Sequence, residues 1–238
     1  MNTTIAHITF RGMLGRRRAL LLFFLPAILL LLSLALRLSG SDGLDTGTSV
    51  LWTFGLAVLL PLVALIAGTG VIGPEIDDGQ IMYILTKPIS RASVILTKYL
   101  CAVALVAAFA ALPVWLGGVI MLGPDSDLPA AFAVGVLLGG LAYSAVFTAL
   151  AVASRQAVTI GLIYAMVWES LIGNFAPGTQ VLSIQQWSLT VLDRLTSSST
   201  INATVGLPVS VVLLVLVTAG SLLLATNRLR GLTLASAD

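Results

Sequence analysis

Windows of about 20 residues nearly free of charge recur along this chain, and a helix that crosses a bilayer needs about that many mostly apolar residues. They fall at 19–36, 50–72, 98–122, 128–153 and 207–226. A sixth window, 157–172, is shorter and carries Glu169 near its end. Of the 238 residues, 58% are hydrophobic and 9% charged, against about 25% charged in soluble domains. A soluble chain with so few charges has too little polar surface to cover its core. The expectation is an all-α integral membrane protein with six transmembrane helices and no soluble domain.

The bases set the orientation, because Lys and Arg in short loops concentrate on the cytoplasmic side. With a cytoplasmic N-terminus, ten of the 12 Lys and Arg fall on that side, and only Arg37 and Arg194 fall on the other. Both termini are therefore expected in the cytoplasm. The stretches "SGSDGLDTGTS" and "GPDSD" are expected to be outward loops. The N-terminal run resembles a signal peptide, but Arg37 follows it without a small-x-small cleavage site. A retained anchor helix, with Pro26 as a kink point, is the expectation.

Residues 1–18 place Ile5, Ile8, Phe10, Met13 and Leu14 in a mild amphipathic pattern before "GRRR". This suits a short helix on the inner membrane surface, with a disordered basic tail as the alternative. The segment 173–206 is too polar to span. Val181, Leu182, Ile184, Trp187, Leu189, Val191, Leu192 and Leu195 make it too apolar for a free loop. One or two short helices in the outer leaflet, forming an external re-entrant segment, are expected. Irregular backbone at that depth must be shielded by protein or water.

Between the second and third windows lies "GPEIDDGQIMYILTKPISRASVILTK", which opens with Glu75, Asp77 and Asp78 and closes with Lys87, Arg91 and Lys98. Pro74 suits the first position of a helix, and acids in its first turn oppose the helix dipole. Pro88 disfavours helical geometry at Lys87, so a cytoplasmic helix over 74–88 is expected to stop there. Ser90 can then cap the next helix. A passive connection needs only a few polar residues. This much order implies either a surface that something reads or an interfacial helix that sets the tilt of its neighbours.

Other chemistry is missing. No G-x-x-x-x-G-K-[ST] loop is present, so ATP binding of the P-loop kind is not expected in this chain. The lone histidine, His7, precedes the first span, away from any intramembrane serine. No Cys/His/Asp cluster has metal-ligand spacing, and Cys101 has no second cysteine to pair with. The small net charge of +2 gives no reason for a nucleic-acid partner. Asp77 and Asp78 are adjacent and diverge on a helix. The sequons at Asn2 and Asn202 read as chance matches. Glu169 is the one acid near the membrane interior; it either lines a polar substrate path or carries a proton, or it caps the re-entrant segment by accepting backbone N–H bonds. Trp168 beside it belongs to the same candidate substrate path or cap as a ligand-stacking group, or else serves as an interface anchor. Gly135 and Gly139 form a G-x-x-x-G that permits close helix packing, including between subunits. Gly68, Gly70 and Gly73 suit either local bending or simple packing.

The segment "EIDDGQIMYILTKPISRASVILTK" resembles the cytoplasmic-loop signature of ABC-2-type permeases, including the NosY-like branch. Glu75, Gly79, Lys87, Pro88, Ser90, Arg91 and Lys98 match it, while Gln80 stands where Thr or Ser is more usual. "YAMVWESLIGNFAPGTQVLSIQQW" resembles the same family in its aromatic-Glu pair, Pro-Gly turn and "LSI". The resemblance implies that 74–88 is a coupling helix docked on a separate ATPase, through Glu75, Ile76, Asp77, Asp78, Gly79, Met82, Tyr83, Lys87, Pro88 and Arg91. It further implies two ATPase subunits that bind ATP and Mg, and a second permease chain, identical or homologous. This chain would then hold no cofactor, catalyse nothing itself and sit in a bacterial plasma membrane. The expected function is export of a hydrophobic or amphipathic substrate. The alternatives are a stand-alone secondary transporter or channel, and a non-transporting anchor or assembly subunit.

Overall fold

The computed structural model describes residues 7, 9–10, 12–13, 18–40, 43–79, 90–172, 179–196 and 205–234. Every element among them is helical, and no strand occurs among the described residues. Five helices are long and apolar enough to cross a membrane, and a sixth, Ala157–Glu169, is shorter.

Helix α1 is Arg18–Leu38 and runs through Pro26 without a break. It buries only a narrow stripe, Leu22, Pro26, Leu29 and Ser33, at the alternating spacing of four and three that lines one side of a helix. Leu20, Phe23, Phe24, Leu31 and Leu34 are exposed, as suits a peripheral helix against lipid.

Helix α2 comprises Leu44–Val50, a π-helical stretch Leu51–Leu59, and Leu60–Gly70. The outward loop expected at 39–49 is thus partly helix, and the span begins before residue 50. Asp45 sits in the favourable first turn. Thr48 satisfies its own hydroxyl on Leu44 O at 2.7 Å, so the polar letters of "DTGTS" do not oppose a helix. At the other end the chain turns at Val71–Ile72 into the short helix α3, Gly73–Asp77.

Helix α3 is a correction to the sequence reading. A continuous helix over 74–88 was expected, but α3 closes at Gly79, whose φ is +69°. Asp78 N–H donates to Pro74 O at 3.0 Å and Gly79 N–H to Ile76 O at 3.1 Å. Glycine accepts this left-handed geometry without a Cβ penalty and ends the helix. Met82, Tyr83, Lys87 and Pro88 lie outside the described residues.

Helix α4 covers Arg91–Val106, a π-helical stretch Ala107–Ala111, and Leu112–Leu122. Ser90 caps it by accepting from Ser93 N–H at 3.3 Å. The helix starts well before residue 98, which places Lys98 inside it rather than at its mouth. Both π-helical stretches stop just before a proline, Pro61 or Pro113. Proline removes one backbone donor and crowds the preceding turn, and a widened turn relieves that crowding.

Helix α5, Leu128–Ala153, is the most enclosed of the spans and the centre of the bundle. Helix α6 runs Ala157–Ile163 and continues as a π-helical stretch Tyr164–Ile172. A 3₁₀ turn, Thr179–Leu182, leads to α7, Ile184–Leu195, and α8 is Leu207–Leu234.

Helix α7 falls in the segment expected to lie in, or dip into, the outer leaflet. Gln185, Gln186, Ser188 and Thr190 are all buried in the protein, as are Ile184, Trp187, Leu189 and Leu192. A Cβ on Gly135 would stand 3.3 Å from Leu192 Cδ1, and one on Gly139 would collide with Ser188 Oγ. The G-x-x-x-G of α5 is therefore filled by this chain's own α7, not left open for another subunit. Gly68 likewise serves packing, since its Cβ would lie 2.8 Å from Phe147 Cβ.

Near the N-terminus, Thr9 and Met13 are buried and Phe10 is half-buried. Gly70 admits the Met13 side chain: a Cβ there would lie 2.7 Å from Met13 Cε. The described residues of this stretch are helical, as the sequence led one to expect, and Phe10 and Met13 pack against the protein's core. Ile5, Ile8 and Leu14 lie outside the described residues.

Candidate functional sites

Among the described residues, two polar clusters interrupt the apolar bundle. The first is at the end where α2 gives way to α3. Lys98, on α4, has no solvent-exposed surface. Its ammonium donates to Val71 O at 2.7 Å and to Glu75 Oε1 at 2.6 Å. The first acceptor belongs to the turn after α2, and the second to α3, so one cation holds both sides of the bend. The Glu75 side chain is 19% exposed, and its Oε2 is buried without a donor among the described residues. Ile72 and Ile95 pack beside the pair in an apolar cluster with Ala149, Val152, Ala225 and Leu229, and Ile76 lies against it. The ammonium of the pair is thereby shielded from water, while the Glu75 side chain stays partly exposed.

Of the residues expected to face an ATPase, Glu75 is thus turned inward and Ile76 is half-buried. Asp77 ends α3. Asp78 and Gly79 are exposed, and Arg91 is half-buried at the start of α4. Lys98 was visible in the sequence as the last base of the segment and as a match to the family's loop signature. Its signal was a single charge in an apolar run, which requires a counter-charge, but the partner acid had been assigned to the surface.

The second cluster surrounds Glu169, which is fully buried. Its Oε1 accepts from the Tyr164 hydroxyl and from Ile184 N–H, both at 3.0 Å. Its Oε2 accepts from the Ser183 hydroxyl at 2.5 Å and, more weakly, from Gln185 N–H at 3.5 Å. Ser183 Oγ in turn accepts from Gln186 N–H at 3.3 Å. The first turn of a helix has N–H groups with no partner inside the helix. For α7 these are taken by one carboxylate and one serine. The arrangement is that of a cap, with negative charge at the positive end of the helix dipole. Trp168 is half-buried, and its Nε1 lies 3.4 Å from Leu182 O.

The register shows how deep this cap sits. Ser188 abuts Gly139 and Leu60, which lie near the midpoints of Leu128–Ala153 and Leu44–Ile76. Gln185 Nε2 donates to Ala57 O at 3.2 Å. Residue 61 would normally donate to that carbonyl, but Pro61 has no N–H, so the Gln185 amide takes its place. The start of α7 is thus lodged at mid-bundle, bonded to α6 through Glu169 and to α2 through Gln185. Tyr164 is steadied by Phe147, whose ring meets it edge-on at 6.5 Å and stacks on Tyr143 at 5.8 Å. Gln185 and Ser183 escaped the sequence reading. The only trace of them was the polar run "SIQQ" inside an otherwise apolar stretch.

The sequence matches the family described as ABC-2 family transporter protein over residues 14–172. No curated protein matches the chain at a significant level.

Proposed function

Because this chain belongs to the ABC-2 family of transporter proteins, we propose that it is the permease subunit of an ATP-binding cassette exporter, in the NosY-like branch. The family and the apolar helices make it a multi-pass membrane protein and an ABC transporter permease. Permeases of this family are membrane subunits that work with ABC ATPases and are not themselves catalysts. On the proposed reading, α1, α2, α4, α5, α6 and α8 make six passes with both termini in the cytoplasm. The segment from α3 to Ser90 is the coupling element. Two partner ATPases bind ATP and Mg, and a second permease chain completes the path for a hydrophobic or amphipathic substrate in a bacterial plasma membrane.

The observation that carries this reading is the joint between α2 and α4. A simple connection between two spanning helices has no need of a separately terminated helical turn pinned by a buried ion pair. An element that receives force does. A stand-alone transporter usually places several polar or charged residues at mid-membrane; the sequence offers Glu169 nearly alone, and its carboxylate caps α7.

The test is purification of the tagged chain from its own membranes in mild detergent, with mass spectrometry of what accompanies it. A stoichiometric partner carrying a P-loop is the expected result. A chain recovered alone, or only with its own copies, overturns the reading.

A further inference from the structure

Glu75 is one of the acids expected to meet the ATPase, yet one oxygen of its carboxylate is bound to Lys98 within the chain. Helix α3 has five residues, too few to hold a helical turn by its own hydrogen bonds in water. Its orientation must come from what it touches. The link to α2 is not helical, with Ile72 at φ −133°, so α2 by itself does not fix α3. Lys98 does: it binds the carbonyl on one side of this bend and the carboxylate on the other.

We propose that Glu75 and Lys98 form an internal latch that makes α3 a rigid extension of α4, so that motion imposed beyond Gly79 reaches the bundle through α4 instead of dissipating in the Val71–Ile72 turn. This deepens the permease reading and rests on it. Lys98 and Glu75 are positioning residues.

The latch can be read in the chain alone. With Cys101→Ala as background, spin labels at Asp78→Cys and Ala92→Cys report the distance between α3 and the exposed start of α4. The wild-type pair should give a narrow distribution. Glu75→Gln and Lys98→Met should each broaden it. Lys98→Arg, which keeps donors for both Glu75 and Val71 O, should narrow it again, and the swap Glu75→Lys with Lys98→Glu should do so in part, because a carboxylate at position 98 cannot donate to Val71 O. In the complex purified from native membranes, the broadened variants should retain their ATPase partner while the rate of ATP hydrolysis shifts by about fivefold or more, the lower range of coupling effects between sites. The compensating variants should bring that rate back.

Distances that do not change in Glu75→Gln and Lys98→Met overturn the latch. Broadening that neither compensating variant reverses overturns it too, since that is general loosening. Loss of the partner from Glu75→Gln with distances unchanged makes Glu75 a docking contact. If the wild-type chain brings no ATPase with it, the permease reading fails, while the label distances still decide whether the two residues join α3 to α4.

Discussion

Lys98 carries its charge where no side-chain surface meets solvent, and the cost of that burial is offset only while Glu75 is present. Removing one member of a buried pair costs about 3–5 kcal/mol, whereas replacing both with apolar side chains of similar size is often near neutral. Lys98→Met alone should therefore destabilise the chain by about 3 kcal/mol. Adding Glu75→Met should recover most of the loss, the remainder being Val71 O without its donor. Denaturant titration in detergent micelles measures both. Glu169 obeys a different rule, because all of its partners are donors. Glu169→Gln keeps the shape but turns an NH₂ group towards N–H or O–H groups whichever way the amide faces. A loss of about 2 kcal/mol is expected, within the range for a hydrogen bond to a charged group. An unchanged unfolding midpoint would remove the capping role. The sequence alone left Glu169 divided between substrate path and cap. The deciding partners, Ile184 and Gln185, lie too far along the chain for spacing to connect them.

At the scale of elements, α2 and α7 share one carbonyl. Ala57 O loses its helical donor to Pro61 and is served by Gln185, so the two positions should be coupled. Gln185→Leu leaves a buried carbonyl unsatisfied and should cost about 1–3 kcal/mol. With Pro61→Ala the helix regains a donor at this turn, and the same Gln185→Leu change should cost less. Equal costs in the two backgrounds would show that the bond does nothing. The contact of α5 with α7 gives a parallel case. Gly139→Ala drives a methyl into Ser188 Oγ and should destabilise by about 1–3 kcal/mol as overpacking does. Ser188→Ala should relieve most of it, leaving Ser188 Cβ at 3.4 Å and the flexible end of Leu60, Cδ2, at 3.0 Å. If the G-x-x-x-G served a subunit contact instead, Ser188→Ala would bring no relief. These elements also differ in how readable they were. Helix α5 has the ends expected for it, 128 and 153, because an unbroken apolar window leaves little choice. The Ser90 cap was equally plain. Helix α7 was not, since "IQQWSLTVLDRL" has the letters of an interfacial helix, and what buries its polar side is a pair of glycines on another helix and a proline break on a third. Helix α3 was misjudged at its end: Gly79 was read as a family match and Pro88 as the terminator, though glycine at that place is a stop signal in its own right.

Across the whole molecule, the two polar clusters lie along α2, and this sets what its movement can do. The inner end of α2 leads into the turn held by Lys98, with Met13 packed on Gly70. Its middle carries the Pro61 break that Gln185 closes. Because Lys98 also holds Val71 O, motion carried by α4 is shared with the inner end of α2 and, along that helix, with the start of α7. For α7 to start there it must enter the bundle from the face opposite Arg155, since α6 leaves that basic end, Glu169 meets Ile184 at depth, and α7 then returns to Arg194. This order makes a topological prediction that the number of long helices does not settle by itself. Helix α6 is short, yet with its π-helical continuation and the re-entrant α7 it should complete one crossing. In a Cys101→Ala background, Gln156→Cys should react with a membrane-impermeant thiol reagent only after the cytoplasmic side is opened. Arg194→Cys should react in intact cells, because its side chain is exposed at the far end of α7. Labelling of both positions from one side would mean that α6 and α7 form a hairpin dipping in and out of a single face. The chain would then make five passes, its ends would lie on opposite sides, and the ten bases that set the orientation would no longer share the cytoplasm.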